Sequence, residues 1–430
     1  TSNASMLRIV TGHYHPDLEQ ALVEEVRSLK STDQFAPLAI VVPSDPLKHR
    51  LKQLLCIEQQ LALLDVHVLT FHQLALHLYN ERQAAGLSGP EEPQLPVVSD
   101  LVWGHLLRHI VRRQAIDTRT LDLASPSSGI WSALWSTVRD LKDAMVDPAE
   151  ALRGVDDGQF GADDDDAKKL RELFTRYAAV QEVGRALRIG SADDLAASVQ
   201  EWAPSSPFLS RLARVCYYGF YDLTQVQLSF FESIARCAPA TLYFPSGEGE
   251  PFAFARQFFE RYLAPLVPSP DQVVRLGLPD TSKRNRGTAG IQVLNAVGAD
   301  DELTAVCKTI LTLVETNGYR FEEIGVVARG LEPYRTSLRR LFDQHRIPFV
   351  TTASAPLFQE PAAKVVMQLA ALPLTKFYRA PVLDVLTSPC YRMNYPGGKP
   401  IEPRPDLWLP VVRSLGITRG EEEWRRLAST

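Results

Sequence analysis

Short, near-continuous apolar runs, each followed by a helical pattern, constrain the fold of this chain more than any other feature. Three such runs, residues 7–10, 38–42 and 66–71, lie near the beginning of the 430-residue sequence. A strand with one solvated face alternates apolar and polar residues, whereas a strand covered on both faces is apolar throughout. Pro16 and Pro46 open the helical patterns that follow the first two runs, and proline suits the first turn of a helix. The pattern predicts an α/β fold with a parallel sheet between two layers of helices.

The alternation of strand and helix stops near residue 80 and returns after residue 207. In between, apolar residues recur at helical spacing and strand signals are missing. The strand signals that follow are residues 215–220 and 240–244, with a helical pattern at 224–237 between them. We therefore expect an all-helical segment to interrupt the first α/β domain.

A second α/β pattern follows a stretch rich in proline and glycine. Its predicted strands are residues 290–297, 324–328 and 348–350, and a new helical pattern begins near residue 376. We interpret residues 1–5 as an expression remnant and Met6 as the natural start. The predicted domains are a first α/β domain (6–80 with 208–265), a helical insertion (81–207), a linker (266–287), a partial second α/β domain (288–375) and the start of a second helical insertion (376–430).

Composition narrows the class of protein. The formal net charge is −5, so no global basic character indicates nucleic-acid binding, although a local basic groove is compatible with it. The five cysteines are scattered without a C-x-x-C pair, which favours free thiols in a reducing compartment. No apolar run is long enough to span a membrane. We expect a cytoplasmic protein that has no membrane contact, no metal site and no cofactor.

The loop after the first apolar run has the position of a phosphate-binding loop but not its residues. A phosphate-binding loop has the sequence G-x-x-x-x-G-K-[ST], and its backbone N–H groups and its lysine hold the phosphates. Gly12 fits the first position, but Asp17, Leu18 and Glu19 stand where the second Gly, the Lys and the Ser or Thr belong. Carboxylates at this place repel a polyphosphate by several kcal/mol when unscreened. The loop either never bound a nucleotide or has lost it.

A second segment, Tyr218-Gly219-Phe220-Tyr221-Asp222-Leu223-Thr224-Gln225-Val226-Gln227, resembles the Walker B motif of UvrD-like helicases. In that family the motif reads D-E-F-Q-D-T-x-x-x-Q; its first Asp holds Mg²⁺ and its Glu positions the attacking water. Tyr218 and Gly219 stand at those two places here, whereas Asp222 and Gln227 match the remainder. An unrelated strand followed by a Thr-capped helix is the equally open alternative.

Three further elements resemble the same family. Thr70, Phe71 and His72 begin a segment close to the family's T-F-H-x-L-A, which lines its single-stranded DNA path. A hydroxyl and an imidazole can donate to phosphate, and an aromatic ring can stack on a base. Ser44, in the turn before the second helix, is a weaker DNA-binding candidate. The alternative for His72 is a histidine at the start of a helix that makes no contact with DNA.

The segment from Gly318 to Arg329 is similar to an element of the second RecA-like domain of these helicases, in the branch of AddB and RecC. Arg329 is a candidate for the inter-domain cleft, with a plain surface arginine as the alternative. This resemblance implies two RecA-like domains, the first with a degenerate P-loop, in the N-terminal part of a longer protein of the PD-(D/E)XK helicase–nuclease family.

The resemblance also implies a function. It predicts a non-hydrolysing DNA-binding module in the processing of DNA double-strand breaks and in recombinational repair. Its partners would be single-stranded or forked DNA and a helicase or nuclease subunit. Two alternatives stay open: an active ATP-dependent helicase or exonuclease subunit, and a protein–protein adaptor that binds no DNA.

Overall fold

The computed structural model divides the chain into two compact units, Thr1–Asn285 and Arg286–Thr430, which are called unit 1 and unit 2. The residues that it describes are 7–86, 98–113, 128–161, 163–247, 249–267, 269–277, 292–351, 357, 360–394 and 398–426.

Unit 1 is built on a six-stranded, wholly parallel sheet with the strand order β3-β2-β4-β5-β1-β6. The strands in chain order are β1 (Leu7–Gly12), β2 (Leu38–Val42), β3 (Val66–Thr70), β4 (Arg214–Tyr218), β5 (Ala240–Pro245) and β6 (Val273–Arg275). The predicted α/β class with a parallel sheet is therefore confirmed.

The sixth strand corrects one expectation. Residues 273–275 fall within the predicted linker, yet they pair with β1 in parallel register, from Ile9 opposite Val273 to Thr11 opposite Arg275. Leu276 extends the contact by donating its backbone N–H to the carbonyl of Thr11 at 2.8 Å. The segment rich in proline and glycine thus begins as an edge strand, because β1 supplies the hydrogen-bonding partner that it needs.

The helices of unit 1 cover both faces of the sheet and form the insertion. In chain order they are α1 (Glu19–Thr32), α2 (Asp45–Gln53), α3 (Phe71–Ala84), α4 (Asp100–Arg113), α5 (Ser128–Asp143), α6 (Pro148–Asp156), α7 (Asp164–Leu187), α8 (Ala192–Ser198), α9 (Pro207–Arg211), α10 (Gln225–Cys237) and α11 (Ala253–Phe258). Successive residues of the central strands enter two different cores: Ile9 packs in the core with α3 and α10, and Val10 packs in the core with α1 and α2. This explains why the strands are mainly apolar on both faces.

The helical insertion has a core of its own. Trp103 of α4 and Trp135 of α5 stack with ring centroids 5.5 Å apart and an interplanar angle of 7°. Lys142 is 7 % exposed; its Nζ lies 4.8 Å from the ring of Trp103 and 2.7 Å from Asp194 Oδ2. Asp194 also closes the capping box of α8 with Ser191, so one ion pair fixes α5 against α8.

Unit 2 is helical in its described part. Its helices are α12 (Ala299–Asn317), α13 (Arg335–Gln344), α14 (Pro361–Ala371), α15 (Arg379–Leu386), α16 (Pro405–Ser414) and α17 (Glu421–Arg425), and its only described strands are the two-residue pair β7 (Met393–Asn394) and β8 (Pro400–Ile401). The strands predicted at 324–328 and 348–350, and the described part of the one at 290–297, are not formed. These apolar segments have no neighbouring strand, among the described residues, with which to make a ladder, and a strand requires one.

Within the described ranges, no helix is both long enough and apolar enough to cross a bilayer.

Candidate nucleotide-site remnant and candidate nucleic-acid interface

The candidate residues of unit 1 gather at the carboxyl edge of the sheet. Gly12 ends β1, Tyr218 ends β4 and Thr70 ends β3, while Ser44 follows β2. Because the strands are parallel, these ends lie along one edge, where open α/β sheets bind their ligands. The structure thus places the two groups of candidates at the same edge of the sheet.

The loop after β1 is closed by its own carboxylate. The backbone N–H of His13 donates to Asp17 Oδ2 at 3.3 Å. A Cβ placed on Gly12 would lie 3.3 Å from Asp17 Cβ and 3.2 Å from Leu276 Cβ, so there is little free space above the glycine. In a phosphate-binding loop such an N–H points at the ligand. Here Asp17 takes the place of an anion.

Leu18 and Glu19 make contacts that do not suit a phosphate-binding loop. Leu18 is fully buried in the core that contains Val10 and Leu22, so the side chain at the lysine position faces the protein interior. Glu19 lies at 3.3 Å from His15 Nδ1 and at 3.9 Å from an Nη of Arg50. Neither side chain presents a cation to this edge of the sheet.

Two tyrosines occupy the space between the loop and β4. Tyr14 and Tyr218 pack edge to face, with ring centroids 6.3 Å apart and an interplanar angle of 74°. Burial raises the pKa of Tyr218 to about 12; Glu19 adds to this rise, and Arg50 opposes it. Burial also raises the pKa of Tyr14, with smaller contributions from Tyr218, Tyr221 and Asp222. Both phenols are therefore neutral at pH 7 and act as packing groups.

The backbone at Gly219 disfavours any larger residue. Its φ is +93°, in the region that favours glycine, and a Cβ there would lie 2.3 Å from Leu47 Cδ2 and 3.2 Å from Pro43 Cδ. A side chain at the position that corresponds to the water-positioning Glu in the resemblance would therefore need a strained backbone and a displacement of the half-buried Leu47.

Asp222 and Gln227 serve the turn after β4. Gln227 and Thr224 form a capping box for α10, with Thr224 N–H donating to Gln227 Oε1 at 3.2 Å and Gln227 N–H to Thr224 Oγ1 at 3.4 Å. The Thr-capped helix, left open by the sequence, is therefore present. Asp222 is half-buried, and burial raises the pKa of its carboxyl group.

The three residues of the second candidate group have different environments. Thr70 caps α3 in a box with Gln73, at 3.2 Å from Gln73 N–H to Thr70 Oγ1. The ring of Phe71 is 8 % exposed and packs against Phe220 and Tyr217 at centroid distances of 5.0 and 5.7 Å. A base cannot stack on a ring that is covered in this way, so we correct the role of Phe71 to one of packing. His72 is exposed in the first turn of α3.

Ser44 stands beside this group because α2 and α3 begin at neighbouring points of the edge. It is the exposed N-cap residue of α2, and its side chain makes no capping hydrogen bond. Lys48 Nζ donates to Gln73 Oε1 at 2.8 Å, and Gln73 Nε2 donates to Asp45 Oδ1 at 3.4 Å. Two helix N-termini, a lysine and an exposed histidine therefore share one surface, which we call the α2–α3 edge: Ser44, Lys48, Thr70, His72 and Gln73.

Arg329 does not belong to unit 1, in which the other candidates lie. It is a residue of unit 2, in an irregular segment after α12. Its expected place in an inter-domain cleft stays a prediction.

The predicted linker continues to residue 287, and its part from 278 onward lies outside the described residues.

Four residues of these sites were missed from the sequence. Gln73 could have been found, since a Thr followed three residues later by Gln is the pattern of a capping box. Lys48 had a weaker signal, a lysine in the first turn after an N-cap serine. Tyr14 and Leu47 carried no signal, because their role depends on contacts with β4 and Gly219.

No protein-family profile matches the chain. Curated relatives do match it, among them proteins of Heliobacterium modesticaldum (23% identical, covering 88% of this chain and 33% of the relative), Symbiobacterium thermophilum (25%, 81% and 33%) and Moorella thermoacetica (23%, 89% and 35%). Each is named as a subunit of an ATP-dependent helicase/deoxyribonuclease, the one called AddB. The chain thus spans about a third of the length of these relatives. The predicted kinship is confirmed: the chain is AddB-like, a relative of helicase–nuclease subunits over most of its length.

Proposed function

We propose that this chain is the helicase-like, non-hydrolysing part of an AddB-like subunit, and that it holds a DNA strand during the processing of double-strand breaks. The names of the relatives support the DNA-repair setting. The observation that supports the non-hydrolysing part of the proposal is the backbone of Gly219, whose φ of +93° disfavours a glutamate at the hydrolytic position, with Leu47 packed against the glycine.

Hydrolysis of a nucleoside triphosphate needs a lysine on the phosphates, an acidic residue on Mg²⁺ and a group that orients water. In the proposed site Leu18 points into the core, Tyr218 replaces the metal-binding carboxylate and Gly219 replaces the water-orienting one. Asp17 adds a negative charge close to the loop amide of His13. Two unit charges 4 Å apart near a protein surface repel by about 4 kcal/mol. Each change opposes nucleotide binding by a different mechanism.

The α2–α3 edge is the proposed contact with DNA. The N-terminus of a helix carries partial positive charge and unpaired N–H groups, which favour phosphate. Ser44 and His72 are exposed there, and Lys48 adds a cation held in place by Gln73. We expect this surface to contact about two phosphates, one at each helix start, and to show no preference for sequence. A partner protein would supply the motion of the strand.

Fluorescence anisotropy with a labelled oligo-dT tests the proposal on the whole chain. Neutralisation of one phosphate of a single strand by Lys48 predicts a slope of about −0.7 for log K against log salt, because the uncharged groups of the edge release no counterions. Lys48→Ala should weaken binding and bring the slope close to zero. Lys52→Ala is the matched control, because Lys52 is an exposed lysine in the last turn of the same helix. ATP should not change the affinity.

Two results would reject the proposal, each in favour of a different alternative. Absence of oligo-dT binding at low salt would favour an adaptor that binds no DNA, in line with the net charge of −5. DNA-stimulated ATP turnover by the purified chain would favour an active helicase.

A further inference from the structure

A groove lies between the helical insertion and the sheet of unit 1, outside the α2–α3 edge. The C-terminal end of α5 forms one side, the turn after β4 with the start of α10 forms the base, and α11 with the following turn forms the other side. Its volume is about 590 Å³, and it is lined by Asp140, Asp143, Ala144, Asp222, Leu223, Thr224, Gln225, Leu228, Phe254, Gln257, Phe258, Arg261 and Tyr262. We call it the α5–α11 groove.

The base of the groove is apolar and its rim carries exposed aromatic rings. Leu223, Leu228 and Phe258 are buried and close the bottom. At the rim, Phe254 is 58 % exposed; beside it Tyr221 is 55 % exposed, and their rings meet at 6.4 Å with an interplanar angle of 63°. Exposed large aromatic side chains that contact each other next to a cavity are typical of binding surfaces.

The charge of the groove is negative. Three carboxylates, those of Asp140, Asp143 and Asp222, line it together with a single guanidinium, that of Arg261. The guanidinium lies over the ring of Tyr262, at 5.2 Å from its centroid. A polyphosphate backbone would be repelled by such a lining, whereas an arginine or lysine would be attracted.

We propose that the α5–α11 groove docks a basic segment of a partner protein. An arginine or lysine of that segment would enter between the carboxylates, and an apolar side chain beside it would pack on Tyr221 and Phe254. The groove would then join the subunits of a complex while the α2–α3 edge stays open to DNA. This role is independent of DNA binding, so either one can fail without the other.

The test uses the whole chain and two fluorescein-labelled nine-residue peptides. The first alternates Arg with Trp and Leu, and the second has Glu in place of every Arg. Anisotropy should detect binding of the basic peptide, weakened by salt, and no binding of the acidic one. Asp140→Asn and Asp222→Asn should each weaken the binding of the basic peptide about two- to fivefold, the range for an exposed charge pair. Phe254→Ala should weaken it as well.

Asp157→Asn is the matched control, since Asp157 is an exposed carboxylate at the end of α6 that does not line the groove. It removes the same charge and should leave the affinity unchanged, which separates docking from general attraction to an acidic protein. Far-UV circular dichroism, measured on every variant, reports that the chain is folded. Equal binding of the basic peptide to wild type and to the Asp140→Asn/Asp222→Asn double variant would overturn the proposal. So would weaker binding of labelled oligo-dT, measured without peptide, by the Phe254→Ala variant, which would assign the groove to nucleic acid.

Discussion

Replacing Gly219 with alanine should destabilise unit 1 strongly, and the structure separates the effect into two parts. The first is conformational: at a φ of +93° an L-residue is strained by about 1–2 kcal/mol. The second is steric: the new Cβ would lie 2.3 Å from Leu47 Cδ2, and overpacking of this kind costs about 1–3 kcal/mol. Alanine also lowers the conformational entropy of the unfolded chain, and this offsets the loss in the free energy of unfolding by about 0.4–1 kcal/mol. The expected net loss is about 2–4 kcal/mol.

Urea unfolding followed by far-UV circular dichroism measures this loss. A reduction of the free energy of unfolding by about 3 kcal/mol should lower the midpoint by about 1 M for a protein of this size. Gly86→Ala is the matched control for strain alone, because Gly86 has a φ of +67° and no atom within 4 Å of an added Cβ. We expect Gly86→Ala to cost about 1 kcal/mol or less.

A double-mutant cycle with Leu47→Ala isolates the steric part. Shortening Leu47 removes the clash, so Gly219→Ala in that background should lose only the cost of strain. The coupling between the two positions should therefore be at least about 1 kcal/mol. If Gly219→Ala proves no more harmful than Gly86→Ala, or if the two effects simply add, Leu47 does not oppose a side chain at the hydrolytic position and our account of the remnant site fails.

Three further predictions concern other parts of unit 1. Lys142→Met should lower the free energy of unfolding by about 2 kcal/mol in urea, because it leaves Asp194 without its buried partner; no change would contradict the link between α5 and α8. Thr70→Ala should lower the free energy of unfolding by about 1 kcal/mol, because it removes the cap of α3. It should leave the salt slope of oligo-dT binding unchanged. A reduced slope would instead make Thr70 a phosphate ligand. Because burial raises the pKa of Asp222, the folded state holds this proton more tightly than the unfolded state, and stability from this group falls as pH rises from the ordinary to the raised pKa. Asp222→Asn should therefore gain stability relative to wild type between about pH 3 and about pH 7, as measured by thermal unfolding; an equal difference at both pH values would contradict this.

The sheet of unit 1 was predictable where each strand carries its own signal. Five of its strands are apolar runs followed by helix starts, and the sequence pattern places them within a few residues of their observed bounds. β6 was missed because its three residues become a strand only through pairing with β1. The reverse error occurred in unit 2, where residues 324–328 have a strand-like composition but no neighbouring strand among the described residues. Hydrogen-bond partners decide both cases, and a local pattern does not contain them.

In the candidate sites, too, residue types could be read from the sequence, whereas contacts between distant parts of the chain could not. The wrong residues for nucleotide chemistry at Gly12 to Glu19 were visible in the sequence, since charge and residue type suffice to recognise them. The groups that fill the site were not, because Leu47 meets Gly219 from a distant part of the chain. Phe71 was predicted to end the third strand, whereas it begins α3, and the sequence did not show that its ring faces the core, which depends on Phe220 and Tyr217.

The filled site also bears on whether nucleotide binding could be regained by restoring its residues one at a time. A lysine in place of Leu18 would bring an ammonium group to a position that is fully buried in an apolar core, and unpaired charges are not tolerated there. A glutamate in place of Gly219 would meet Leu47 and Pro43, and removal of Asp17 would leave the N–H of His13 without its acceptor. Each of these positions contributes to the packing or hydrogen bonding of unit 1, so folding opposes each single substitution before it can help binding. On the function that we propose, the packing of unit 1 therefore keeps these positions from holding a nucleotide.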